Sequence, residues 1–272
     1  MASRLNAQPN ANHCYGWRKD PRDERDFLSR AARPAAIPQK SDLSAFIPAV
    51  WDQGQQGSCT GHGTGAILTG LAIQLRLMQA AKTDPAARFS PRWLYYLGRL
   101  AINEVYQDSG AYARDILSAA VKVGACLEAI WPYPPYPSYF DAATAAPPAA
   151  CAPASARHLI LSYTRIVDGV DGIATALSQG HLVTLGAPWY SKWESPGPDG
   201  KLAKVNCLSK IAGGHQTYLY GHDYATEYFN GSNSWGDQWG DHGRYLLPFS
   251  ALKQFKKRGG YDAHFIDVKW SE

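Results

Sequence analysis

Apolar side chains recur every three or four residues from Ile67 to Met78 and cover almost the whole circumference of the helix that this spacing predicts. A helix that is apolar on nearly every side is a buried helix. Ser58 precedes the run and is of a residue type that favours the N-cap position. We therefore expect a buried helix that begins close to Ser58, and we interpret the glycines within it as sites where neighbouring backbone approaches closely.

Two more helices are expected in the first half of the chain. Pro91, directly after a serine, predicts a helix start because proline is favoured at the first helical position. A third helix is expected over about 113–123, where Gly124 is a typical C-terminal glycine. Proline and alanine then dominate 132–137 and 142–156, which predicts a connection without regular elements.

In the second half of the chain, the period of the apolar pattern is shorter than in the helical half. Its apolar or aromatic runs are brief and bounded by turn residues, as strands are. These runs are 159–161, 182–185, 218–220, 228–229, 245–247 and 265–268. Helices first and strands second predict an α+β fold with two lobes, a helical lobe at about 51–140 and a strand lobe at about 155–272.

Residues 1–50 form an N-terminal extension with little apolar core of its own. Charged residues dominate 17–26, and 31–38 is rich in alanine and proline. Such a segment cannot bury enough apolar surface to fold alone. We expect it to lie against the domain formed by residues 51–272.

Composition and charge point to no special partner. Hydrophobic residues make up 45% of the chain, charged residues 18%, and the net charge is +4, which is the balance of an ordinary globular protein. The basic cluster at 253–258 is short enough to be a solvated patch, so no nucleic-acid partner is expected. No apolar run approaches a membrane span and no signal peptide is visible. We expect a monomer that is cytoplasmic or secreted by a route without a visible signal.

The cysteines give a first indication of chemistry. They are Cys14, Cys59, Cys126, Cys151 and Cys207, and none forms a C-x-x-C pair, so no structural zinc site is expected. An odd number leaves at least one thiol free. If that thiol is Cys59, the other four either form two disulfides, in one of three pairings, or remain buried thiols as in a reducing compartment.

Cys59 stands at the predicted start of the buried helix. It ends the run Gln53-Gly54-Gln55-Gln56-Gly57-Ser58-Cys59. A thiol at a helix N-terminus faces unpaired N–H groups and the positive end of the helix dipole, and both favour the thiolate. A small buried cysteine with no chemical role is the ordinary alternative for this position alone.

Two later runs carry further chemistry. One begins Gly213-Gly214-His215, and the other reads Asn-Ser-Trp-Gly-Asp-Gln-Trp-Gly-Asp-His-Gly from Asn233. An imidazole beside a thiol accepts its proton and returns it to a leaving group. Taken alone, His215 also suits an accessible turn. We expect no metal site to be built from the histidines His62, His222 and His242.

Together these three runs resemble the active-site motifs of the papain-like cysteine peptidases, in the order Cys, His, Asn. The resemblance implies a helical left lobe and an antiparallel, barrel-like right lobe, with the active site in the cleft between them. It implies Cys59 as nucleophile, His215 as base and Asn233 as the residue that orients the imidazole. Gln53 and the Cys59 N–H would form the oxyanion hole, with Trp235 shielding the His–Asn hydrogen bond. The implied reaction is hydrolysis of a peptide or protein substrate without a cofactor.

The resemblance covers roughly residues 15–270 and is strongest to the bacterial branch of the family. The segments that carry this finer likeness are 16–26, 89–96, 108–111 and 114–115. In the family, a glycine near Ser109-Gly110 binds the substrate backbone in a short antiparallel pairing. The resemblance therefore implies substrate-binding roles for Gly110 and Ser109, and also for Gly214 and Trp235 beside the imidazole.

Three positions depart from the plant and lysosomal members. Gln56 stands where those enzymes have a half-cystine, so one of their usual disulfides is missing. Thr60 replaces an aromatic residue after the nucleophile, and Gly214 replaces Asp or Asn before the histidine. None of these changes removes a residue of the implied catalytic set.

The extension before Cys59 suggests regulation. In mature members of the family the cysteine lies near the N-terminus, so we hypothesise that part of residues 1–50 is a propeptide-like latch across the cleft and that the chain is a zymogen. Two alternatives stay open. One is a catalytically silent papain-fold binding module, and the other is amide acyl transfer or deamidation. Reaction of Cys59 with an epoxide inhibitor separates the first, and product analysis the second.

Overall fold

The structure is a computed structural model that describes residues 13–23, the backbone of 28–29, and residues 36–134 and 144–270. Within these ranges the α-helices are α1 (Cys59–Gln74), α2 (Pro91–Ala101), α3 (Ala113–Val123), α4 (Cys151–Ser155), α5 (Gly169–Ser178) and α6 (Ser250–Lys257). The strands are β1 (Trp17–Arg18), β2 (Leu28–Ser29), β3 (Lys40–Asp42), β4 (Ala111–Tyr112), β5 (Ile160–Ile166), β6 (Val183–Tyr190), β7 (Ile211–Asp223), β8 (Tyr228–Ser232), β9 (Arg244–Pro248) and β10 (Asp262–Val268). The expected α+β class is confirmed.

Most strands form one sheet, in the order β2-β5-β10-β6-β7-β8-β9, with β3 also paired to β7. Among the strands described, β2 and β5 are the one parallel pair in it, and the other neighbours are antiparallel. A separate parallel pair joins β1 to β4. The six apolar runs of the second half lie in β5–β10 to within one residue. Because β3 pairs with β7, residues 40–42 of the extension are already part of this sheet.

Helix α1 is buried between α2 and β7, as its apolar pattern predicts. Gly61 allows this packing, since a Cβ there would lie 2.3 Å from the Pro91 carbonyl oxygen. Ser58 occupies the N-cap position, but its side chain makes no capping hydrogen bond. By contrast, the Ser90 side chain caps α2 by accepting from the Trp93 N–H over 3.2 Å. The N-terminus of α1 thus has no capping hydrogen bond from the Ser58 side chain.

Helices α4, α5 and α6 were not predicted from the sequence. The first lies inside the alanine- and proline-rich stretch interpreted as a connection, so that interpretation is wrong for Cys151–Ser155. Helix α5 contains two glycines, which interrupt the apolar pattern that would have predicted it. Helix α6 contains most of the basic cluster, and its Leu252 and Phe255 are buried while Lys253, Lys256 and Lys257 are not. The lysines therefore form the outer face of an amphipathic helix.

Two apolar cores hold the molecule together. One lies around α1, α2 and α3 and includes Ile67, Leu94 and Ile116. The other fills the strand lobe and is rich in aromatic residues, among them Trp189 and Trp235. No helix of the described residues is both long and apolar enough to cross a membrane.

All five cysteines are free thiols. Cys126 and Cys151 are fully buried, and their sulfur atoms lie 3.0 Å apart. Cys14 is half-buried and Cys207 is exposed. The sequence left open whether these cysteines form disulfides or remain buried thiols. Cys126 and Cys151 are buried thiols, whereas Cys207 is an exposed thiol.

Candidate active site

Cys59 is the first residue of α1 and is completely buried. Burial raises the pKa of its thiol to about 12. The N–H groups of Gln216, in β7, and Thr60, in the first turn of α1, face the sulfur and act in the opposite direction. In this state the loss of hydration outweighs the helix N–H groups. The thiolate expected from the helix position is therefore not favoured here, and the expectation is wrong for the closed cleft.

His215 and Asn233 meet because β7 and β8 are antiparallel neighbours, with Tyr218 opposite Ser232. His215 Nε2 lies 2.7 Å from Asn233 Oδ1. That oxygen also accepts from the Ser234 N–H over 2.7 Å, which fixes the orientation of the amide. An amide oxygen only accepts, so Nε2 carries the proton and Nδ1 is the basic nitrogen of the neutral ring. Nδ1 makes no hydrogen bond within the described part of the chain.

The imidazole is enclosed by aromatic rings. Trp235 stacks on it with ring centroids 4.4 Å apart, and Trp189 meets it edge-on at 5.0 Å. Burial lowers the pKa of His215 to about 3, against the hydrogen bond to Asn233. His215 is therefore neutral at ordinary pH in this state. Trp235, which the resemblance implies as the shield of the His–Asn hydrogen bond, thus lies over the His215 ring.

Gln53 is held so that its amide nitrogen faces the cleft. Its Oε1 accepts from the Ser234 hydroxyl over 2.7 Å, and its backbone N–H donates to the Ser234 carbonyl over 2.8 Å. Because the oxygen is occupied, Nε2 points the other way and donates to the Gln56 carbonyl over 2.9 Å and the Cys14 carbonyl over 3.2 Å. Ser234 was missed as a site residue, although its place between Asn233 and Trp235 offered a signal.

The two walls of the cleft are tied together beside Cys59. The Gln216 side chain, next to His215, donates to the Thr60 carbonyl and the Thr64 hydroxyl, both at 3.3 Å. The first turns of α1 are thereby fixed to the middle of β7. The fold thus brings Gln53, Cys59, His215 and Asn233, which are far apart in sequence, to one cleft.

A stretch of the N-terminal extension occupies this cleft; we call residues 13–20 the N-terminal segment. The Cys14 carbonyl accepts from the Gln53 amide, as described above. The N–H groups of Gly16 and Trp17 face the Cys59 sulfur. Gly16 lies so close to the loop before Cys59 that a Cβ on it would be 1.6 Å from the Gly57 carbonyl oxygen. The segment thus lies directly over the buried Cys59 and His215.

Gly110 marks the edge where the segment pairs with the body. The Ala111 N–H donates to the Gly16 carbonyl over 2.8 Å, within the parallel pairing of β1 and β4. Gly110 has a φ of +73°, and a Cβ there would lie 2.3 Å from the same carbonyl oxygen, so only glycine suits the position. Ser109 lies beside it, with its hydroxyl donating to the Gly110 carbonyl over 3.2 Å.

Aromatic side chains of the segment cover the imidazole from outside. His13 stacks on Trp235 with ring centroids 4.0 Å apart, and Tyr15 meets the His215 ring edge-on at 6.0 Å. The Tyr15 hydroxyl donates to the Glu194 carboxylate over 2.5 Å. Glu194 is thus the residue of the body that anchors this end of the segment.

Trp17 reaches across the strand wall. A Cβ at Gly214 would lie 2.4 Å from the Trp17 carbonyl oxygen, and one at Gly186 would lie 2.1 Å from its indole nitrogen. Trp17 itself is buried. The position of Gly214, singled out from the sequence, is therefore covered by the segment.

Charged residues secure the far end of the segment. The Asp20 N–H donates to the Asp262 carboxylate over 2.8 Å, and the Asp20 carboxylate accepts from the Arg114 N–H over 3.2 Å. Arg18 forms an ion pair with Glu104 at 2.8 Å. These contacts join the segment to both lobes.

The other histidines near the cleft have structural surroundings. His62 is buried, and burial lowers its pKa to about 3. Its Nδ1 lies 3.1 Å from the Ser58 carbonyl oxygen. Among the described residues, no three His, Cys, Asp or Glu side chains are grouped so as to hold a metal ion.

Comparison with known proteins places this geometry in context. No protein-family profile matches the chain. Xylellain, a cysteine protease from Xylella fastidiosa, is 26% identical and matches over 94% of this chain and 96% of its own, with a TM-score of 0.78. In sequence and fold the chain is similar to papain-like cysteine peptidases. The papain-like fold expected from the three motifs is confirmed.

Two further similar proteins extend the comparison. An uncharacterized peptidase C1-like protein of Acanthamoeba polyphaga mimivirus is 27% identical over 73% of this chain. The match spans 63% of that protein's length. The digestive procathepsin L 3 of Tenebrio molitor larval midgut, a proenzyme, matches over 90% of this chain and 75% of its own, with 18% identity and a TM-score of 0.65, and so shows the fold alone.

Proposed function

We propose that this chain is a cysteine endopeptidase that hydrolyses peptide bonds through Cys59 and His215, and that the N-terminal segment keeps it closed. One observation carries the proposal: the cleft already holds extended peptide backbone. The Cys14 carbonyl accepts a hydrogen bond from the Gln53 amide, and the Gly16 carbonyl accepts one from the Ala111 N–H. A cleft that binds peptide carbonyls beside a cysteine and a histidine is built for a peptide substrate.

Acylation begins when a substrate replaces the segment. His215 Nδ1 takes the proton of the Cys59 thiol, and the sulfur attacks the carbonyl carbon of the substrate. The carbonyl oxygen becomes an oxyanion that the Gln53 amide and the Cys59 N–H stabilise. As the tetrahedral intermediate collapses, the C–N bond breaks and His215 protonates the leaving amine.

Deacylation releases the second product. Water loses a proton to His215 Nδ1 and attacks the thioester carbon. The C–S bond then breaks, the carboxylic acid leaves, and Cys59 recovers its proton or remains as the thiolate beside the imidazolium. Asn233 keeps Nε2–H bound throughout, so the ring presents Nδ1 to the sulfur. Trp235 keeps water from that hydrogen bond.

The segment crosses the cleft beside Cys59. What it presents to the Cys59 sulfur are the N–H groups of Gly16 and Trp17, which are not electrophiles. Its pairing with β4 is parallel. The proposed inhibition therefore needs no chemical change in the segment, only its continued contact with the cleft.

The test compares full-length protein with three single variants. We expect Trp17→Ala to raise hydrolysis of a fluorogenic peptide mixture, because the substitution removes a buried indole that holds the segment against the domain. Cys59→Ala is expected to reduce hydrolysis by about 10⁴-fold or more. Cys207→Ala is the matched control, since Cys207 is an exposed free thiol and its loss is expected to change nothing.

Labelling with an epoxide inhibitor of cysteine peptidases locates the reactive thiol. Mass spectrometry is expected to find the adduct on Cys59, faster in Trp17→Ala than in the unchanged chain. Absence of an adduct from both proteins would favour the silent binding module. An acyl product transferred to an added amine, with no hydrolysis, would favour acyl transfer instead. Equal labelling rates in Trp17→Ala and the unchanged chain would contradict an inhibitory role of the segment.

A further inference from the structure

Two thiols of the helical lobe lie in direct contact. Cys126 Sγ donates a weak hydrogen bond to Cys151 Sγ over 3.0 Å, and both side chains are fully buried. The distance is about 1 Å longer than the S–S bond of a disulfide. The sequence left three pairings open for the cysteines other than Cys59, and the fold brings this pair together.

The stretches of backbone that carry the two cysteines are packed against each other. The Ala125 N–H donates to the His158 carbonyl over 3.2 Å. A Cβ on Gly124 would lie 1.9 Å from the Ser155 carbonyl oxygen, so the chain before Cys126 runs beside the end of α4. A bond between the sulfur atoms would therefore link stretches that are already in contact.

The surroundings favour a disulfide over a metal site. Both cysteines belong to the apolar core around α1, α2 and α3. A zinc site needs further ligands, and the described residues contain no group of three His, Cys, Asp or Glu side chains that could hold an ion. The Cys126 carbonyl also accepts from the N–H of Ser90, the N-cap of α2, over 2.8 Å. A bond to Cys151 would thus tie α4 to the start of α2.

We propose that Cys126 and Cys151 are a redox pair, which a small-molecule disulfide converts from two thiols into a disulfide bond. The thiolate of one cysteine attacks the oxidant, so that a mixed disulfide forms and one thiol of the oxidant leaves. The second cysteine then attacks the protein sulfur of the mixed disulfide, and the second thiol leaves. The two cysteines lose two protons and two electrons, and the oxidant takes them up as it becomes two thiols.

Burial controls when the pair reacts. It raises the pKa of both thiols, so in the closed core they are neutral and poor nucleophiles. Oxidation therefore proceeds through local opening. Helix α4 is only five residues long and is marginal by itself, which makes it the element that opens. The inference is independent of the proposed function, because it involves no residue of the proposed catalytic set.

The experiment treats reduced full-length protein with glutathione disulfide, in urea below the unfolding transition, and then blocks free thiols with N-ethylmaleimide. Trypsin cuts after Lys122 and Arg157 and at no site between them, so one peptide carries both cysteines. We expect mass spectrometry to show this peptide lighter by two hydrogen atoms and without N-ethylmaleimide. Cys207, an exposed thiol, is expected to carry glutathione and shows that the oxidant acted. A peptide that carries N-ethylmaleimide or glutathione on both cysteines would overturn the proposal.

Thermal unfolding shows whether the native fold accommodates the bond. The two cysteines are 25 positions apart, and closing a loop of this length is expected to raise Tm by about 5–10 °C. Cys207→Ala is the matched control and is expected to show the same rise on oxidation. Cys126→Ala and Cys151→Ala are expected to show none. An unchanged Tm in the oxidised native chain, or a rise that persists in either of these variants, would contradict the pair. If neither variant folds, the mass of the peptide from the unchanged chain decides.

Discussion

Strand β7 carries two buried histidines, His215 near its start and His222 near its end, and their surroundings differ. His222 Nε2 donates to the Pro38 carbonyl over 3.0 Å, and its Nδ1 accepts from the Ser41 hydroxyl over 2.8 Å. His215 has one such bond, to Asn233, and its Nδ1 has none within the described residues. A buried polar atom without a partner costs about 1–3 kcal/mol. One histidine is therefore satisfied by the fold, and the other keeps a basic nitrogen for chemistry.

The largest test of this comparison replaces each histidine by glutamine. His215→Gln is expected to lower kcat/KM by about 10⁴-fold or more, because the base is lost, with little change in stability. His222→Gln is expected to lower the free energy of unfolding by about 1–3 kcal/mol, because two buried bonds are disturbed. Peptide hydrolysis and urea unfolding measure the two effects. Loss of activity in His222→Gln while it remains folded would contradict the distinction.

A second test uses pH to ask what covers His215 and Cys59. The pKa of Cys59 is raised to about 12 and that of His215 lowered to about 3, both by burial. Displacing the segment restores hydration, so the thiol pKa falls and the imidazole pKa rises. At pH 7, a fall of the thiol pKa to its ordinary value of 9.0 raises the thiolate fraction about 10³-fold.

Alkylation rates of Cys59 measure this change across pH 5–9. The unchanged chain is expected to show a rate that rises tenfold per pH unit without a plateau. Trp17→Ala is expected to react faster at every pH, and its rate is expected to begin to level off at pH 9, where half of a thiol with the ordinary pKa of 9.0 is ionised. Superimposable profiles for the two proteins would show that the segment does not set the pKa of Cys59.

The smallest expected effect concerns the rim of the segment. Arg18 and Glu104 form an ion pair with side-chain exposures of 35% and 26%. Such a pair contributes less than about 1 kcal/mol, so Glu104→Gln is expected to raise activity by no more than about fivefold. Asp199→Asn is the control, because the Asp199–Lys201 pair is more exposed, at 58% and 57%. Added salt is expected to reduce the Glu104 effect and is measured in the same assay.

What the sequence predicted well were the features that depend on neighbouring residues. The start of α2 at Pro91 and the end of α3 at Gly124 follow from single residues whose backbone preferences decide the outcome. The cleft residues were predictable because three short runs resemble known motifs. Each of those runs is shorter than a dozen residues, so it can be recognised from neighbouring positions alone.

What the sequence did not predict depends on distant contacts. Tyr133 meets Gln53 and Ser58 only because the fold brings the proline-rich connection beside α1. The state of the Cys59 thiol could not be predicted either, since the helix end favours the thiolate and only the buried position shows that desolvation prevails. Helix α5 was missed because its glycines lower the helix propensity of the segment. In the folded protein, packing against the neighbouring elements outweighs that propensity.

The N-terminal segment is joined to the domain that it covers. Its local concentration at the cleft is therefore set by the length of the chain between them, at a millimolar level for a short connection, and not by the amount of protein. Dilution does not release it, and a free peptide at micromolar concentration competes poorly. A single cut between Asp23 and Ala36 changes this at once, because the segment becomes a separate molecule that dilutes away. On the proposed function, activation by such a cut would run in one direction and would need no change in the cleft itself.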